Sequence, residues 1–146
     1  MGLIDSVGPG PVALDTAVFI HFIEEHPAYL PLIEPIFLEL DRGGIEAVTS
    51  AITLLEVLVV PYRAGNLPLA ERYEQLMTRG KGLRLVALDN GQLRAAAQLR
   101  AFHAVRTPDA LQLVAALSTR CTTFVTNDRE IPDLPGLRVL RLADQL

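Results

Sequence analysis

The chain has 146 residues, with 17 acidic and 13 basic side chains and a formal net charge of -4 at pH 7. That length suits one domain, and an apolar content of 50% excludes an intrinsically disordered chain. A membrane span is not expected, because the longest run without Asp, Glu, Lys or Arg is residues 110–119, and a crossing needs roughly 18 apolar residues. The mild acidic excess argues against a nucleic-acid partner, since such proteins are usually basic.

The use of cysteine points to a reducing compartment. Cys121 is the single cysteine, so the chain can form neither an internal disulfide nor a cysteine metal cluster. The first residues show no basic segment leading into an apolar one, as a secretory leader would. We therefore expect the protein to be cytoplasmic.

Apolar runs and turn residues divide the chain into alternating strands and helices. Residues 8–11 are Gly-Pro-Gly-Pro, so residues 1–11 are expected to be a flexible lead-in and residues 12–146 the domain. Strands are predicted at 12–14, 47–49, 83–88, 122–126 and 137–142. Helices are predicted at 17–25, around 33–40, at 51–62, between Asn66 and Gly80, and at 89–106 and 107–119, with Ser50, Asn66 and Asp89 as caps. This alternation predicts an α/β fold, a central parallel sheet of about five short strands with helices on both faces.

Four carboxylates stand where such a fold places ligands, beyond the carboxyl ends of its strands. Asp15 follows the first strand, and Asp128 follows the strand at 122–126. Asp109 lies in the first turn after Thr107-Pro108. Glu56 lies on the helix at 51–62, and its neighbours three and four residues away are apolar or uncharged (Ile52, Thr53, Val59 and Val60).

Ordinary structural roles compete with a functional role for three of these residues. Asp15 would cap a helix, Asp128 would form a turn, and Asp109 would favour the helix dipole. Glu56 differs, because an unpaired charge among apolar neighbours is unfavourable. Together the four carboxylates would repel one another, and a hard cation such as Mg²⁺ or Mn²⁺ would offset that repulsion. Setting these four aside leaves as many acidic as basic residues, so the acidic excess would be local to the site.

The motifs around these acids resemble the PIN domain family, most closely the VapC-type ribonuclease toxins of toxin-antitoxin pairs. The resemblance rests on Leu14-Asp15-Thr16, on Glu56 within residues 50–58, on Pro108-Asp109-Ala110 and on Thr126-Asn127-Asp128-Arg129. It extends from Val12 to Leu142. Two positions depart from the family pattern: Ala17 replaces a small hydroxyl residue, and Ile131 replaces an aromatic one.

The resemblance implies a single PIN-like domain that cleaves RNA with Mg²⁺ or Mn²⁺. Asp15, Glu56, Asp109 and Asp128 would hold the metal and carry catalysis, and Thr126 and its neighbour Asn127 would support the site. A small antitoxin would be the usual partner and a homodimer the usual state. The apolar helices at 28–40 and 51–62 are candidate partner surfaces, although core packing explains most of their pattern.

Basic residues near the four acids are candidates for contacts with the substrate. RNA would need cations near the acids, and the candidates by chain proximity are Arg63, Arg106, Arg120 and Arg129. His21, His26 and His103 fit no ligand or triad pattern and are expected to be packing or surface residues. A phosphotransfer receiver or an aspartyl phosphatase would use a strand-end Asp as nucleophile, but Ala17 stands where the phosphatase needs a second Asp. The remaining alternative is a catalytically weak or inactive PIN-like module that binds RNA or protein.

Overall fold

The computed structural model describes residues 2–8 and 10–146, so Met1 and Pro9 of the predicted lead-in lie outside the described residues. Its strands are β1 (Val12–Leu14), β2 (Ala47–Ser50), β3 (Leu83–Val86), β4 (Thr123–Thr126) and β5 (Arg138–Arg141). All neighbouring strands pair in parallel, in the order β3-β2-β1-β4-β5. The helices are α1 (Leu3–Val7), α2 (Thr16–Ile23), α3 (Leu30–Arg42), α4 (Ile52–Arg63), α5 (Leu67–Arg79), α6 (Asn90–Phe102) and α7 (Thr107–Ser118), followed by a 3₁₀ turn (Leu142–Gln145).

Apolar cores cover both faces of the sheet. Side chains alternate between faces along a strand, so Val12 and Leu14 belong to one core and Ala13 to the other. Helices α2 to α5 pack into the first core, and α7 supplies Leu113 and Ala115 to the second. The predicted α/β class, with a parallel sheet of five short strands, is confirmed.

Helix ends agree with the predicted caps at two positions and differ at two others. Asn66 and Asp89 accept hydrogen bonds from the backbone N–H groups of Leu69 and Gln92, as expected of caps. Ser50 was predicted as a cap but ends strand β2, and its hydroxyl oxygen accepts only a long 3.3 Å bond from the N–H of Ile52. Helix α6 ends at Phe102 rather than near residue 106, because Pro108 fits only the first turn of a helix and the chain must leave α6 before it.

The prediction of a flexible lead-in is wrong for residues 3–7. They form helix α1, in which Leu3 and Val7 are buried in the first core. The hydroxyl of Thr123 on β4 also donates a 3.0 Å hydrogen bond to the carbonyl oxygen of Val7. The helix ends at Val7, before Gly8, whose φ is 75°. Within the described residues no helix has the length and apolar character that a membrane crossing requires.

Candidate metal centre

One cavity at the carboxyl edge of the sheet contains all four predicted acids. It measures about 390 Å³, and its walls include Asp15, Glu56, Asp109 and Asp128. Asp15 follows β1 and Asp128 follows β4, which are neighbours in the sheet, while Asp109 begins α7 and Glu56 lies one turn into α4. Parallel strands and the helices that follow them therefore bring side chains 113 residues apart in the chain to one opening.

Asp15 is the carboxylate that the strand ends hold most firmly. Its Oδ1 accepts a 2.8 Å hydrogen bond from the N–H of Thr16, and its Oδ2 accepts a 2.6 Å bond from the hydroxyl of Thr126. The Thr126 hydroxyl oxygen in turn accepts from the N–H of Asp128 at 3.0 Å. Burial raises the pKa of Asp15, and the charges of Glu56 and Asp128 raise it further, against the two hydrogen bonds that lower it. Asp15 is thus both a helix cap and a member of a crowded acidic set.

Arg106 neutralises part of the acidic set. Its guanidinium donates to Asp109 Oδ2 at 3.3 Å and to Asp128 Oδ2 at 3.0 Å, so it bridges two of the acids. The pKa of Asp109 is nevertheless raised, first by burial and then by the charge of Asp128, and the opposing effect of Arg106 is smaller. Sequence proximity suggested Arg106 only as an RNA contact, whereas the structure makes it an internal counter-ion as well.

Glu56 has a polar partner that its sequence neighbours do not reveal. The hydroxyl of Thr16, at the start of α2, donates a 2.7 Å hydrogen bond to Glu56 Oε1. The expectation of an apolar, unsolvated face around Glu56 is wrong on one side, because Val59 and Val60 are 41% and 58% exposed, whereas Thr53 is fully buried. Glu56 itself is half-buried, so its carboxylate lies between the core side of α4 and solvent at the cavity wall.

A buried glutamine behind the cavity was missed at the sequence level. Gln112 on α7 is 2% exposed, and its Oε1 accepts from the N–H of Ser50 at 3.0 Å and from the Thr49 hydroxyl at 3.2 Å. Its Nε2 donates to the hydroxyl oxygens of Thr53 at 2.6 Å and Thr16 at 3.3 Å. Gln112 therefore connects β2, α4 and α2 behind the acids. A lone amide within the charge-free run 110–119 was the available signal.

The other predicted contact residues are dispersed. Asn127 lines the cavity, and its Oδ1 accepts a 3.1 Å bond from the N–H of Ala143. Arg129 pairs with Asp144 at 2.8 Å. Arg63 ends α4, and Arg120 follows α7 at the amino edge of the sheet, opposite the site. Of the four candidate arginines, the cavity wall includes Arg106 and not Arg63, Arg120 or Arg129.

The donor set has the chemistry that a hard divalent cation requires. Every acidic donor is a carboxylate oxygen, and the raised pKa values of Asp15 and Asp109 reflect burial and mutual repulsion that a cation would relieve. The set is loose, however: among the residues that the structure describes, no three acidic, histidine or cysteine side chains are grouped closely enough to enclose an ion. Arg106 contacts one oxygen, Oδ2, of Asp109 and of Asp128, so a cation bound at those oxygens would compete with its guanidinium.

A parallel α/β sheet with an acidic cavity at its carboxyl edge is the arrangement that the sequence motifs led us to expect. A sequence profile of the PIN domain matches residues 12–137, which is most of the chain. The chain therefore belongs to the PIN domain family.

Similar solved structures share the fold at low sequence identity. VapBC2 from Rickettsia felis, bound to a DNA fragment from its promoter, contains a chain with a TM-score of 0.69 and 16% identity, covering 90% of this chain and 98% of that one. A chain of a toxin-antitoxin complex from Klebsiella pneumoniae has a TM-score of 0.65 at 17% identity, and the match covers 86% of this chain and 94% of that one. A chain of DNA-bound VapBC from Salmonella typhimurium has a TM-score of 0.61 at 24% identity, and the match covers 92% of this chain and 99% of that one. No curated protein sequence matches the chain.

Proposed function

We propose that this PIN domain is a divalent-metal-dependent endoribonuclease that hydrolyses phosphodiester bonds of RNA. The observation that carries the proposal is the convergence of Asp15, Glu56, Asp109 and Asp128 on one cavity. A bound Mg²⁺ or Mn²⁺ would supply an activated water and would neutralise negative charge on the scissile phosphate. Four carboxylates without a cation would repel a phosphate instead.

In the proposed reaction, the role of each residue would follow from its position in the cavity. Asp15 and Asp109 would hold the first ion, and Glu56 and Asp128 would complete or extend its shell. Thr126 and Thr16 would orient Asp15 and Glu56 through the 2.6 Å and 2.7 Å hydrogen bonds that they donate. Arg106, once released from Asp109 and Asp128, would carry a positive charge at the cavity wall where the phosphate enters.

The test of this activity is cleavage of a structured RNA by the purified chain. We expect cleavage with Mn²⁺ or Mg²⁺, none after chelation by EDTA, and none by Asp109→Asn, which keeps the side-chain shape but removes a ligand charge. A circular dichroism spectrum matching that of the wild type would show that the variant is folded. Cleavage that continues unchanged in EDTA would refute the metal mechanism, and a fully active Asp109→Asn would remove Asp109 from the site.

We further propose that the protein is the toxin of a type II toxin-antitoxin pair, that it forms a homodimer and that it acts in the cytoplasm. The similar structures described above are toxin-antitoxin complexes, which supports an antitoxin as partner. Helix α4 exposes Leu55, Val60 and Tyr62, the kind of apolar surface that a partner covers. Expression without a partner should arrest growth, and Asp15→Asn should relieve the arrest. Normal growth with a demonstrably active chain would refute the toxin role.

One observation favours the second candidate, a PIN-like module that binds RNA or protein with little or no catalysis. Arg106 already bridges Asp109 and Asp128, so part of the acidic charge is balanced within the chain. Calorimetric titration with Mn²⁺ distinguishes the two functions. Metal binding together with RNA cleavage supports the nuclease, whereas RNA binding without heat from Mn²⁺ and without cleavage supports the module.

A further inference from the structure

Helix α2 forms a wall of the cavity that extends beyond the acids. Thr16, Ala17, Ile20 and His21 all line it, as expected for residues on one face of a helix. Thr16 lies at the acidic end beside Glu56. His21 lies five residues further, about 7.5 Å along the helix axis. The wall between them is made by Ala17 and Ile20, which are apolar and uncharged.

Other aromatic rings hold the His21 ring in position. Its centroid lies 4.7 Å from that of His26 and 4.9 Å from that of Tyr29. His26 is itself fixed, because its Nδ1 accepts hydrogen bonds from the N–H groups of Ala28 and Tyr29 at 3.1 and 3.3 Å. The imidazole of His21 is therefore supported on one side by a cluster of rings while it borders the cavity on another.

The ring nitrogens of His21 are available to a ligand. No hydrogen bond joins either nitrogen to any residue that the structure describes, although His21 lies in a partly buried position. Burial lowers the pKa of His21, and the neighbouring His26 lowers it further against the charge of Glu24, so the neutral form of the ring is favoured. A neutral imidazole carries one donor and one acceptor.

These features suit a nucleobase better than a phosphate. A phosphate prefers cations and backbone N–H groups, whereas the wall beside His21 is formed by the apolar Ala17 and Ile20. A base offers a flat apolar face to Ala17 and Ile20 and polar groups at its edge to a ring nitrogen. We infer that His21, Ile20 and Ala17 form a subsite for an unpaired base of the RNA strand next to the scissile phosphate, with His21 hydrogen-bonded to the edge of that base.

This inference rests on the proposed nuclease function, and it explains how a chain with few aromatic residues could select a cleavage site. Sequence-specific recognition of RNA uses unpaired bases whose edges are read by hydrogen bonds. A site with only carboxylates and a cation would read the backbone and would not discriminate between bases. His21 supplies the base-reading group that the acids lack.

The experiment compares His21→Ala, His21→Phe and His21→Gln with wild type in the presence of Mn²⁺. Substrates are a defined RNA oligonucleotide for kcat and KM, and a randomised single-stranded RNA pool for the base preference at the cut. We expect His21→Ala and His21→Phe to raise KM about 3- to 10-fold, the effect of one lost hydrogen bond, and to flatten the base preference. His21→Gln, which restores a donor and an acceptor, should recover part of both. The control His103→Ala removes an exposed histidine outside this cavity and should behave as wild type.

A binding measurement separates recognition from turnover. In the Asp109→Asn background, fluorescence anisotropy of a labelled oligonucleotide should show weaker binding when His21→Ala is added. Metal-dependent cleavage by wild type with unchanged KM, base preference and anisotropy in the His21 variants would overturn the subsite and leave the nuclease proposal intact. Absence of cleavage by wild type would instead overturn the nuclease proposal.

Discussion

Gln112 offers a sharp test of how the site is supported, because one substitution removes four hydrogen bonds and changes no charge. Gln112→Leu keeps a side chain of similar size on α7 but leaves the N–H of Ser50 without the oxygen it now contacts at 3.0 Å. Ser50 is 1% exposed, so water cannot replace that acceptor easily. A buried donor without a partner is unfavourable by about 1–3 kcal/mol.

The remaining bonds of Gln112 add less than their number suggests. Thr49 and Thr53 already share a 2.6 Å hydrogen bond and can keep it, so their hydroxyls are not left without partners. The bond to Thr16 is long, at 3.3 Å. With these offsets and the gain from burying leucine, we expect a net loss of about 1–3 kcal/mol in the free energy of unfolding.

Urea denaturation followed by far-ultraviolet circular dichroism measures this loss. For a chain of this size the midpoint should fall by about 0.5–1.5 M with the slope unchanged. The matched control is Gln98→Leu, the same substitution at an exposed position of α6, which should stay within about 0.5 kcal/mol of wild type. A Gln112→Leu midpoint equal to that of the control would refute the claim that this network contributes to stability.

Three further outcomes follow from individual contacts. Thr16→Val removes the 2.7 Å hydrogen bond to Glu56 Oε1. Calorimetry should then show an affinity for Mn²⁺ reduced about 10-fold or more while the fold is preserved. An unchanged affinity would show that Thr16 does not position Glu56. In thermal unfolding, Gly82→Ala should lower the melting temperature of the protein more than Gly136→Ala does. Both glycines have positive φ, of 72° and 80°. A Cβ on Gly82 would lie 3.2 Å from the carbonyl oxygen of Ile45, whereas a Cβ on Gly136 would meet open space. Burial raises the pKa of the Cys121 thiol. The native chain should therefore react with a thiol reagent at pH 8 far more slowly than the chain unfolded in urea. Equal rates would show that the thiol is exposed.

The α/β class could be predicted from the sequence because short, uninterrupted apolar strands that alternate with helices are typical of a parallel sheet covered on both faces. Once β1 and β4 are recognised as buried parallel strands, the ends of both must lie at one edge, and this brings Asp15 and Asp128 together. The same rule applies to Arg120. Helix α7 begins at the carboxyl edge and returns to the amino edge, so a residue that follows it cannot reach the site, however close it is in sequence to β4.

The polar contacts behind the acids could not be predicted in the same way. They depend on side-chain positions on three different elements: Thr16 begins α2, Thr53 lies on α4 and Gln112 lies on α7. Hydrophobic periodicity indicates which face of a helix is buried, but it does not indicate which polar groups on other elements that face will contact. Glu56 shows a related error, because its neighbours in the sequence suggested a buried face, whereas Val59 and Val60 are exposed in the structure.

The charges that line the cavity set the conditions for binding a cation and a phosphate in the proposed reaction. Four carboxylates and one guanidinium line it, and the pKa of Asp15 and of Asp109 is raised, first by burial and further by neighbouring carboxylates. Arg106 donates to Oδ2 of Asp109 and of Asp128, and no salt bridge joins Asp15 or Glu56 to a cation among the described residues. A divalent ion held by Asp15 and Asp109 would therefore compete with Arg106 for the Asp109 carboxylate. Weaker pairing with Asp109 would leave the Arg106 guanidinium more available to a phosphate at the cavity wall.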